Sequence, residues 1–167
     1  MRKIHLDLIR ILALVLLVVV LDQLSKYFVL YQLNLINTNR IEVIPGILNF
    51  HLAWNKGVNF GLFANDSPTM KYLLVGLATL IVGGMLWYAY RTKLIELEVL
   101  AFGFIIGGAI GNTIDRLSQG AVIDFLNMTC CGIYNPYSFN IADLVIFVGA
   151  GILLLFGFGK NDSSDKN

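Results

Sequence analysis

The sequence contains few charged residues. Asp, Glu, Lys and Arg together make up 14% of its 167 residues, whereas a typical soluble domain has about 25%. Apolar residues make up 57% of the chain, which is more than a water-soluble domain of this length could bury in one core. The composition therefore predicts an integral membrane protein. The net charge of +1 gives no electrostatic case for a nucleic-acid partner.

The sequence also lacks the motifs of several enzyme classes. It has two histidines, His5 and His51, and no His-Glu-x-x-His, so we expect no zinc site. The adjacent Cys130 and Cys131 form neither a disulfide framework nor a metal site. Nucleophilic-serine, P-loop and dinucleotide motifs are missing as well. We expect no metal or cofactor, which leaves acid–base chemistry by side chains.

Four apolar stretches approach the roughly 20 residues that a helix needs to cross a bilayer. They cover residues 11–31, 72–90, 99–117 and 141–159. We interpret the first as an uncleaved helix rather than a signal peptide, because no small-residue cleavage site follows it. The sequence therefore predicts one domain over residues 1–160, with a polar tail over residues 161–167. In the third span, Gly103, Gly107 and Gly111 recur every fourth residue, a spacing that lets helix backbones pack closely.

Basic residues predict the orientation of these spans. They lie before the first span, between the second and third, and after the fourth: Arg2, Lys3, Arg10, Arg91, Lys93, Lys160 and Lys166. Because basic loops stay in the cytoplasm, both termini should be cytoplasmic and residues 32–71 and 118–140 should face outward. Within the first outer loop, apolar and polar residues alternate over 48–54 after Pro45-Gly46. That pattern predicts a strand preceded by a turn.

Polar side chains that are costly in a membrane cluster at the outer ends of the spans. Inserting an ionisable group at the centre of a span costs about 2.5–3.5 kcal/mol, so each such residue is expected to have a structural or functional role. The topology predicts that the following residues lie at a similar depth near one face: Asp22, Lys26, Asn112, Asp115, Arg116, Asp124, Asn140 and Asp143. Such clustering indicates a site.

Spacing divides these residues into two groups. Asp22 and Lys26 are four residues apart on a helix, as are Asn112 and Arg116, and Asp115 follows Asn112 by three. We therefore expect structural partners there, with Asp22 paired to Lys26 and Asp115 to Arg116. Asp124 and Asp143 have no cation nearby in sequence, and an apolar run follows Asp143 over residues 144–148. Two such carboxylates held together can share a proton, which makes one an acid and the other a base. A hydrogen-bonded structural pair is equally consistent with the spacing.

The same residues resemble the motifs of signal peptidase II, the prolipoprotein signal peptidase of bacteria. Five segments match that family in order, and they cover nearly the whole chain: Asp22–Lys26, Trp54–Gly61, Gly111–Arg116, Val122–Phe125 and Phe139–Asp143. Each string is short, but their order and their places on the spans make the match specific. Val58-Asn59 stands where the family commonly has Ala-Ala.

The resemblance implies an aspartic endopeptidase whose catalytic residues are Asp124 and Asp143. It implies substrate-binding or supporting roles for Asp22, Lys26, Asn55, Gly57, Asn112, Asp115, Arg116 and Asn140. The family fold is a set of four transmembrane helices with a small extracytoplasmic β-cradle and a periplasmic helix. The implied partners are membrane lipid and lipoprotein precursors that carry diacylglycerol on the cysteine after the cut. The implied location is the bacterial cytoplasmic (inner) membrane, with the active site on the outer side.

Two other functions compete with a peptidase. A proton-coupled transporter also places aspartates in a membrane, but it needs them at several depths. A non-catalytic assembly factor for the envelope could use the glycine face of the third span to bind a partner helix. Cleavage of a lipidated precursor by the purified protein separates both from a peptidase. The sequence leaves the oligomeric state open.

Overall fold

The structure is a computed structural model that describes residues 2–57, 68–129 and 135–157. In chain order its elements are α1 (Arg2–Tyr27, continued by a π-helical turn Phe28–Gln32), α2 (Leu35–Thr38), β1 (Arg40–Ile44), β2 (Leu48–Asn55), α3 (Pro68–Arg91), α4 (Glu96–Gln119), β3 (Val122–Met128) and α5 (Ile141–Phe156). Val58-Asn59, Cys130, Cys131 and the tail over residues 161–167 lie outside the described residues.

Three helical segments are long and apolar enough to cross a membrane. They are Leu6–Gln32, Met70–Arg91 and Glu96–Gln119, and they match the first three predicted spans. The predicted fourth span corresponds to α5, which is apolar but has 16 described residues, or about 24 Å of helix. Large apolar side chains point outward from α3 and α5, where Leu80 is 75% and Phe147 83% exposed. Helices with such surfaces are embedded in lipid.

Glycines allow α4 to pack closely on two neighbouring helices. A Cβ atom at Gly107 would lie 2.7 Å from Val18 Cβ of α1, and one at Gly103 would lie 2.6 Å from Leu14 Cβ. On the other side of α4, a Cβ atom at Gly108 would lie 2.5 Å from the carbonyl oxygen of Ala142 in α5. The prediction of close packing by the glycines of this span is therefore confirmed, and α4 is the central helix of the bundle.

An apolar core fills the other end of the bundle, away from the sheet. It joins side chains of α1, α3 and α4 with the loop before α4: Ile11, Val15, Ala89, Leu94, Val99, Phe102 and Ile106. At the same end, Arg10 of α1 forms an exposed ion pair with Glu96 of α4. These contacts hold α1 against α4 at the end of the bundle opposite the sheet.

The strands form one antiparallel sheet in the order β1-β2-β3. Pro45 and Gly46 join β1 to β2 in a turn, in which the Ile47 N–H donates to the Ile44 carbonyl at 3.0 Å and Gly46 has a φ of 71°. A positive φ at this position is typical of a type II turn. The predicted strand and turn are confirmed. The other two strands were not predicted from the residue pattern: β1 lies within the first predicted outer loop, and β3 follows Gly120 at the end of α4, within the second.

Candidate active site

Asp124 lies in the middle of β3, opposite Ala53 of β2. Asp124 is 1% exposed, and it belongs to a run of four buried residues that begins β3. Its Oδ1 accepts a hydrogen bond from Asn140 Nδ2 at 2.7 Å, and its Oδ2 accepts one from Asn55 Nδ2 at 3.0 Å. The carboxyl group is therefore held at both oxygens by side-chain amides.

Burial dominates the electrostatics of Asp124. Burial, and after it the charge of Asp143, raise the pKa of this carboxyl from its ordinary 3.8 to about 7. The hydrogen bonds from Asn55 and Asn140 oppose this rise, because they favour the ionised form. Asp124 can therefore hold a proton near neutral pH.

Asp143 occupies the first turn of α5 and is partly exposed. Its Oδ1 accepts a hydrogen bond from Asn112 Nδ2 at 2.8 Å. Its backbone N–H donates to Asn140 Oδ1 at 2.8 Å, which is the N-cap arrangement that begins a helix. The sequence suggested apolar surroundings for Asp143, but the more buried aspartate is Asp124. The apolar run after Asp143 includes Leu144 and Phe147, which are exposed.

Two asparagines connect the aspartates. Asn140 is fully buried, and its Nδ2 donates to Asn112 Oδ1 at 3.1 Å as well as to Asp124. Asn112 in turn donates to Asp143. A continuous hydrogen-bonded path therefore runs from Asp124 through Asn140 and Asn112 to Asp143. The structure thus brings together the two aspartates and the two asparagines that the sequence singled out.

Lys26 binds two carboxylates beneath this path. Its Nζ lies 2.7 Å from Asp22 Oδ2 and 2.6 Å from Asp115 Oδ2, and all three residues are at most 2% exposed. The predicted pair of Asp22 and Lys26 is confirmed. The charges of Asp115 and Arg116 interact, but in the part of the chain that the structure describes the cation bonded to Asp115 is Lys26 of α1. Neighbours in sequence on α4 point in different directions, whereas Asp115 and Lys26 face each other across the helix contact.

Arg116 lies beside the aspartates instead. Its charge interacts with those of Asp143, Asp124 and Asp115, so a cation that is distant in sequence from Asp143 lies near both proposed catalytic carboxylates in the fold. Its Nη1 donates to the Asn112 carbonyl at 3.4 Å. Its Nε is buried and has no hydrogen-bond partner within the described ranges, whereas buried side-chain donors are normally hydrogen-bonded. Arg116 therefore has an N–H group at the site that can donate a hydrogen bond to a bound molecule.

Gly57 orients Asn55. Its N–H donates to Asn55 Oδ1 at 2.8 Å, and its φ of 85° is a conformation that glycine adopts without strain. With its oxygen engaged in this way, Asn55 directs its NH₂ group toward Asp124. This contact gives a physical reason for a glycine at position 57.

Gln23 is a polar residue of the site that sequence reasoning left without a role. Its Nε2 lies 3.1 Å from Asp22 Oδ2 and 2.9 Å from Asp115 Oδ1, so it donates between the same two carboxylates as Lys26. The sequence feature that could have indicated a role for Gln23 is its position in an apolar span directly after Asp22.

Among the residues that the structure describes, no group of three or more His, Cys, Asp or Glu side chains could hold a metal ion. The absence of a metal remains a prediction.

Comparison with known proteins identifies the family. The profile described as Signal peptidase (SPase) II matches residues 14–158. The chain belongs to the signal peptidase II family. A protein of Rhodopseudomonas palustris (strain CGA009) named lipoprotein signal peptidase is 44% identical over 81% of this chain and 83% of its own. One of the same name from Polynucleobacter necessarius is 35% identical over 95% of this chain and 98% of its own. The family resemblance seen in the sequence is confirmed.

A solved structure has the same fold. It is titled as a bacterial membrane enzyme, determined by the in meso method at 2.3 Å resolution. Its TM-score is 0.73 at 24% identity, over 94% of this chain and 93% of the other. The likeness supports a membrane-embedded helical fold with a small sheet. As a member of the signal peptidase II family, the chain is an aspartic-type hydrolase.

Proposed function

We propose that this chain is a membrane aspartic endopeptidase that removes signal peptides from diacylglyceryl-modified lipoprotein precursors, cutting before the lipidated cysteine. The observation that carries the proposal is the path from Asp124 through Asn140 and Asn112 to Asp143. It supports a catalytic role for these two aspartates, because two linked carboxylates in different surroundings can act as acid and base. The named relatives are lipoprotein signal peptidases, which favours the same substrate class here.

The different environments of the aspartates suggest their roles. Asp143, partly exposed, is the base: it takes a proton from a water molecule as that water attacks the scissile carbonyl carbon. Asp124, with its pKa of about 7, is the acid: its proton hydrogen-bonds the carbonyl oxygen as negative charge develops there. When the tetrahedral intermediate collapses, the C–N bond breaks, the leaving amine receives the proton that Asp143 took from the water, and Asp124 keeps its own proton, so both aspartates return to their starting states. The water adds across the bond, and neither a covalent intermediate nor a cofactor is needed.

The polar residues around the aspartates would hold the substrate. Arg116 has a buried Nε without a partner in the described residues, so it can donate to a peptide carbonyl or a lipid ester. Asn55 and Asn140 fix the Asp124 carboxyl from two sides. Positioning of this kind contributes strongly to catalysis, because a misplacement of about 1 Å can cost about 10²-fold in rate.

The proposed membrane arrangement has four spans in a single domain over residues 1–160, followed by a cytoplasmic tail. We take α5 as the fourth span, because it packs on α4 at Gly108 and Gly149 and exposes Phe147, Leu154 and Leu155. The basic residues favour cytoplasmic termini in the inner membrane. The aspartates then lie at the outer face, where the cleavage site of a precursor emerges from the bilayer.

The buried acids argue against a proton-coupled transporter. Asp22, Asp115 and Asp124 lie together at the candidate active site. Asp7 is also buried, but it lies about 22 Å from Asp22 along α1. Between Asp7 and Asp22, the buried residues of α1 are apolar: Ile11, Val15 and Val18. A proton path along this helix would need polar groups in that interval.

Cleavage of a defined substrate tests the proposal. The purified chain in detergent is given a precursor peptide with a diacylglyceryl cysteine, and, as a control, the same peptide without the lipid. We expect one cut, immediately before the cysteine, in the lipidated peptide only. Absence of any cut in the lipidated peptide by a folded, detergent-soluble preparation would refute the proposed function.

A further inference from the structure

A buried lysine is connected to both proposed catalytic aspartates through the backbone. Asp115, which binds Lys26, also accepts a hydrogen bond at Oδ2 from the N–H of Ile123 at 3.1 Å, and Ile123 directly precedes Asp124. Asp22, the other carboxylate on Lys26, accepts one at Oδ1 from the N–H of Ala142 at 3.0 Å. Ala142 directly precedes Asp143. On each side, Lys26 therefore binds a carboxylate, and that carboxylate accepts a hydrogen bond from the backbone N–H of the residue just before a proposed catalytic aspartate.

We propose that Lys26 is a positioning residue that sets the separation between the two aspartates, an inference that rests on the proposed function. Lys26 and Asp22 belong to α1 and Asp115 to α4, whereas the aspartates lie on β3 and α5. The lysine therefore fixes four elements relative to one another at one point. Asp22 and Asp115 transmit its position to the two backbone segments that carry the reacting groups.

Stability alone gives a weak reason for this buried ion cluster. Replacing a buried ion pair by apolar residues of similar size is often neutral or stabilising, because the charges regain little more than their desolvation cost. The cost is higher near a membrane than in a soluble domain. Geometry gives a stronger reason, since a lysine between two carboxylates fixes a distance that apolar contacts leave adjustable.

The decisive variant removes every charge of the cluster at once. Asp22→Asn/Lys26→Met/Asp115→Asn strands no charge, and both asparagine oxygens can still accept the N–H groups of Ile123 and Ala142. We expect a folded protein in which kcat for the lipidated peptide falls about 10²-fold, while KM stays within about 3-fold because the substrate contacts remain. Folded protein is measured by size-exclusion chromatography in detergent, and kcat is expressed per folded molecule.

A matched control removes another ion pair between the same helices. Arg10→Met/Glu96→Gln deletes the exposed pair of α1 and α4 at the opposite end of the bundle, and kcat should stay within about 2-fold of wild type, as expected for an exposed pair. If the triple variant fails to fold, the single variants Asp22→Asn and Asp115→Asn are scored per folded molecule. Each should lower kcat at least about 10-fold at nearly constant KM.

The outcomes separate this inference from the proposed function. A triple variant, or both single variants, with kcat within about 3-fold of wild type per folded molecule would overturn the role of Lys26. A wild-type protein that does not cut the lipidated peptide would instead overturn the proposed function, and it is assayed first. A loss of kcat in the cluster variants with an unaffected control variant supports the positioning role.

Discussion

Asn140 donates a hydrogen bond to Asp124 at 2.7 Å and, through its Oδ1, caps the helix that carries Asp143 at 2.8 Å. One side chain therefore determines the orientation of the Asp124 carboxyl and the start of α5. The two functions use different atoms of the amide, the nitrogen for Asp124 and the oxygen for the helix. They can be separated by substitution.

Asn140→Ser and Asn140→Ala should differ in stability but agree in activity. A serine can still cap α5, whereas alanine cannot, so the alanine variant should be less stable by about 1 kcal/mol. Neither reaches Asp124, and loss of a hydrogen bond to a carboxyl group should lower kcat/KM about 10-fold to 10²-fold in both. Thermal unfolding in detergent and the cleavage assay measure the two effects. Wild-type activity in Asn140→Ser would show that the bond to Asp124 is dispensable.

Gly107→Ala should destabilise the bundle. The added Cβ would lie 2.7 Å from Val18 Cβ, so α1 and α4 must move apart, at a cost of about 1–3 kcal/mol. Gly83→Ala on α3 is the matched control, because a Cβ there meets nothing within 4 Å and alanine is favoured in a helix by about 0.5–1 kcal/mol. Equal melting temperatures for the two variants would contradict close packing of α1 on α4.

The rate of cleavage should fall as pH rises through about 7. Asp124 is protonated below its raised pKa of about 7, so the proposed acid is lost above that pH. The mechanism also needs one ionised carboxylate, which gives a second decline in acid and a bell-shaped profile. The measurement is kcat/KM in one detergent between about pH 4 and 9. A rate that climbs steadily to pH 9 would rule out Asp124 as the acid.

Protein stability must be followed in the same pH series. The folded chain holds the Asp124 proton to about pH 7, whereas an unfolded chain releases it near 3.8. The contribution of this group to the free energy of unfolding is therefore largest in acid and is lost as pH rises from about 4 to about 7. Rates are corrected for the folded fraction at each pH, so that unfolding is not counted as loss of the acid.

Reporters on the two sides of the membrane test the proposed topology. A reporter fused after Lys93 should be cytoplasmic, and one fused after Asn127 should face outward, because basic loops are retained inside. An enzyme that is active only outside the cytoplasmic membrane should therefore be active at Asn127 and inactive at Lys93. The reverse pattern would place the aspartates on the cytoplasmic face and contradict the substrate assignment.

The sequence predicted the parts of the fold that depend on local patterns. Three apolar spans, the glycine contacts of α4, and the strand over 48–54 follow from composition and periodicity, and all are present. The clustering of polar residues at one end also followed, because the spans alternate in direction. Strand β3 was missed because its buried residues surround Asp124 without the alternation that marks a half-buried strand.

Contacts between distant segments were harder to predict. Sequence spacing shows partners three or four residues apart on one helix, as for Asp22 and Lys26, but the bond from Lys26 to Asp115 depends on how α1 and α4 pack. The greater burial of Asp124 was also missed. The apolar run after Asp143 suggested burial there, whereas Leu144 and Phe147 of that run are exposed as lipid-facing residues.

The most direct test of the central claim is the cleavage rate of Asp124→Asn and Asp143→Asn. Each substitution keeps the size and shape of the side chain but removes its ability to gain and lose a proton. At position 124 the new amide can keep only one of the two hydrogen bonds that Asn55 and Asn140 donate to the carboxyl group. Because acid–base groups contribute about 10²–10⁴-fold, each variant should fold, and its kcat/KM for the lipidated peptide should fall at least about 10²-fold. Retention of more than about one tenth of wild-type activity by either folded variant would contradict catalysis by this pair of aspartates.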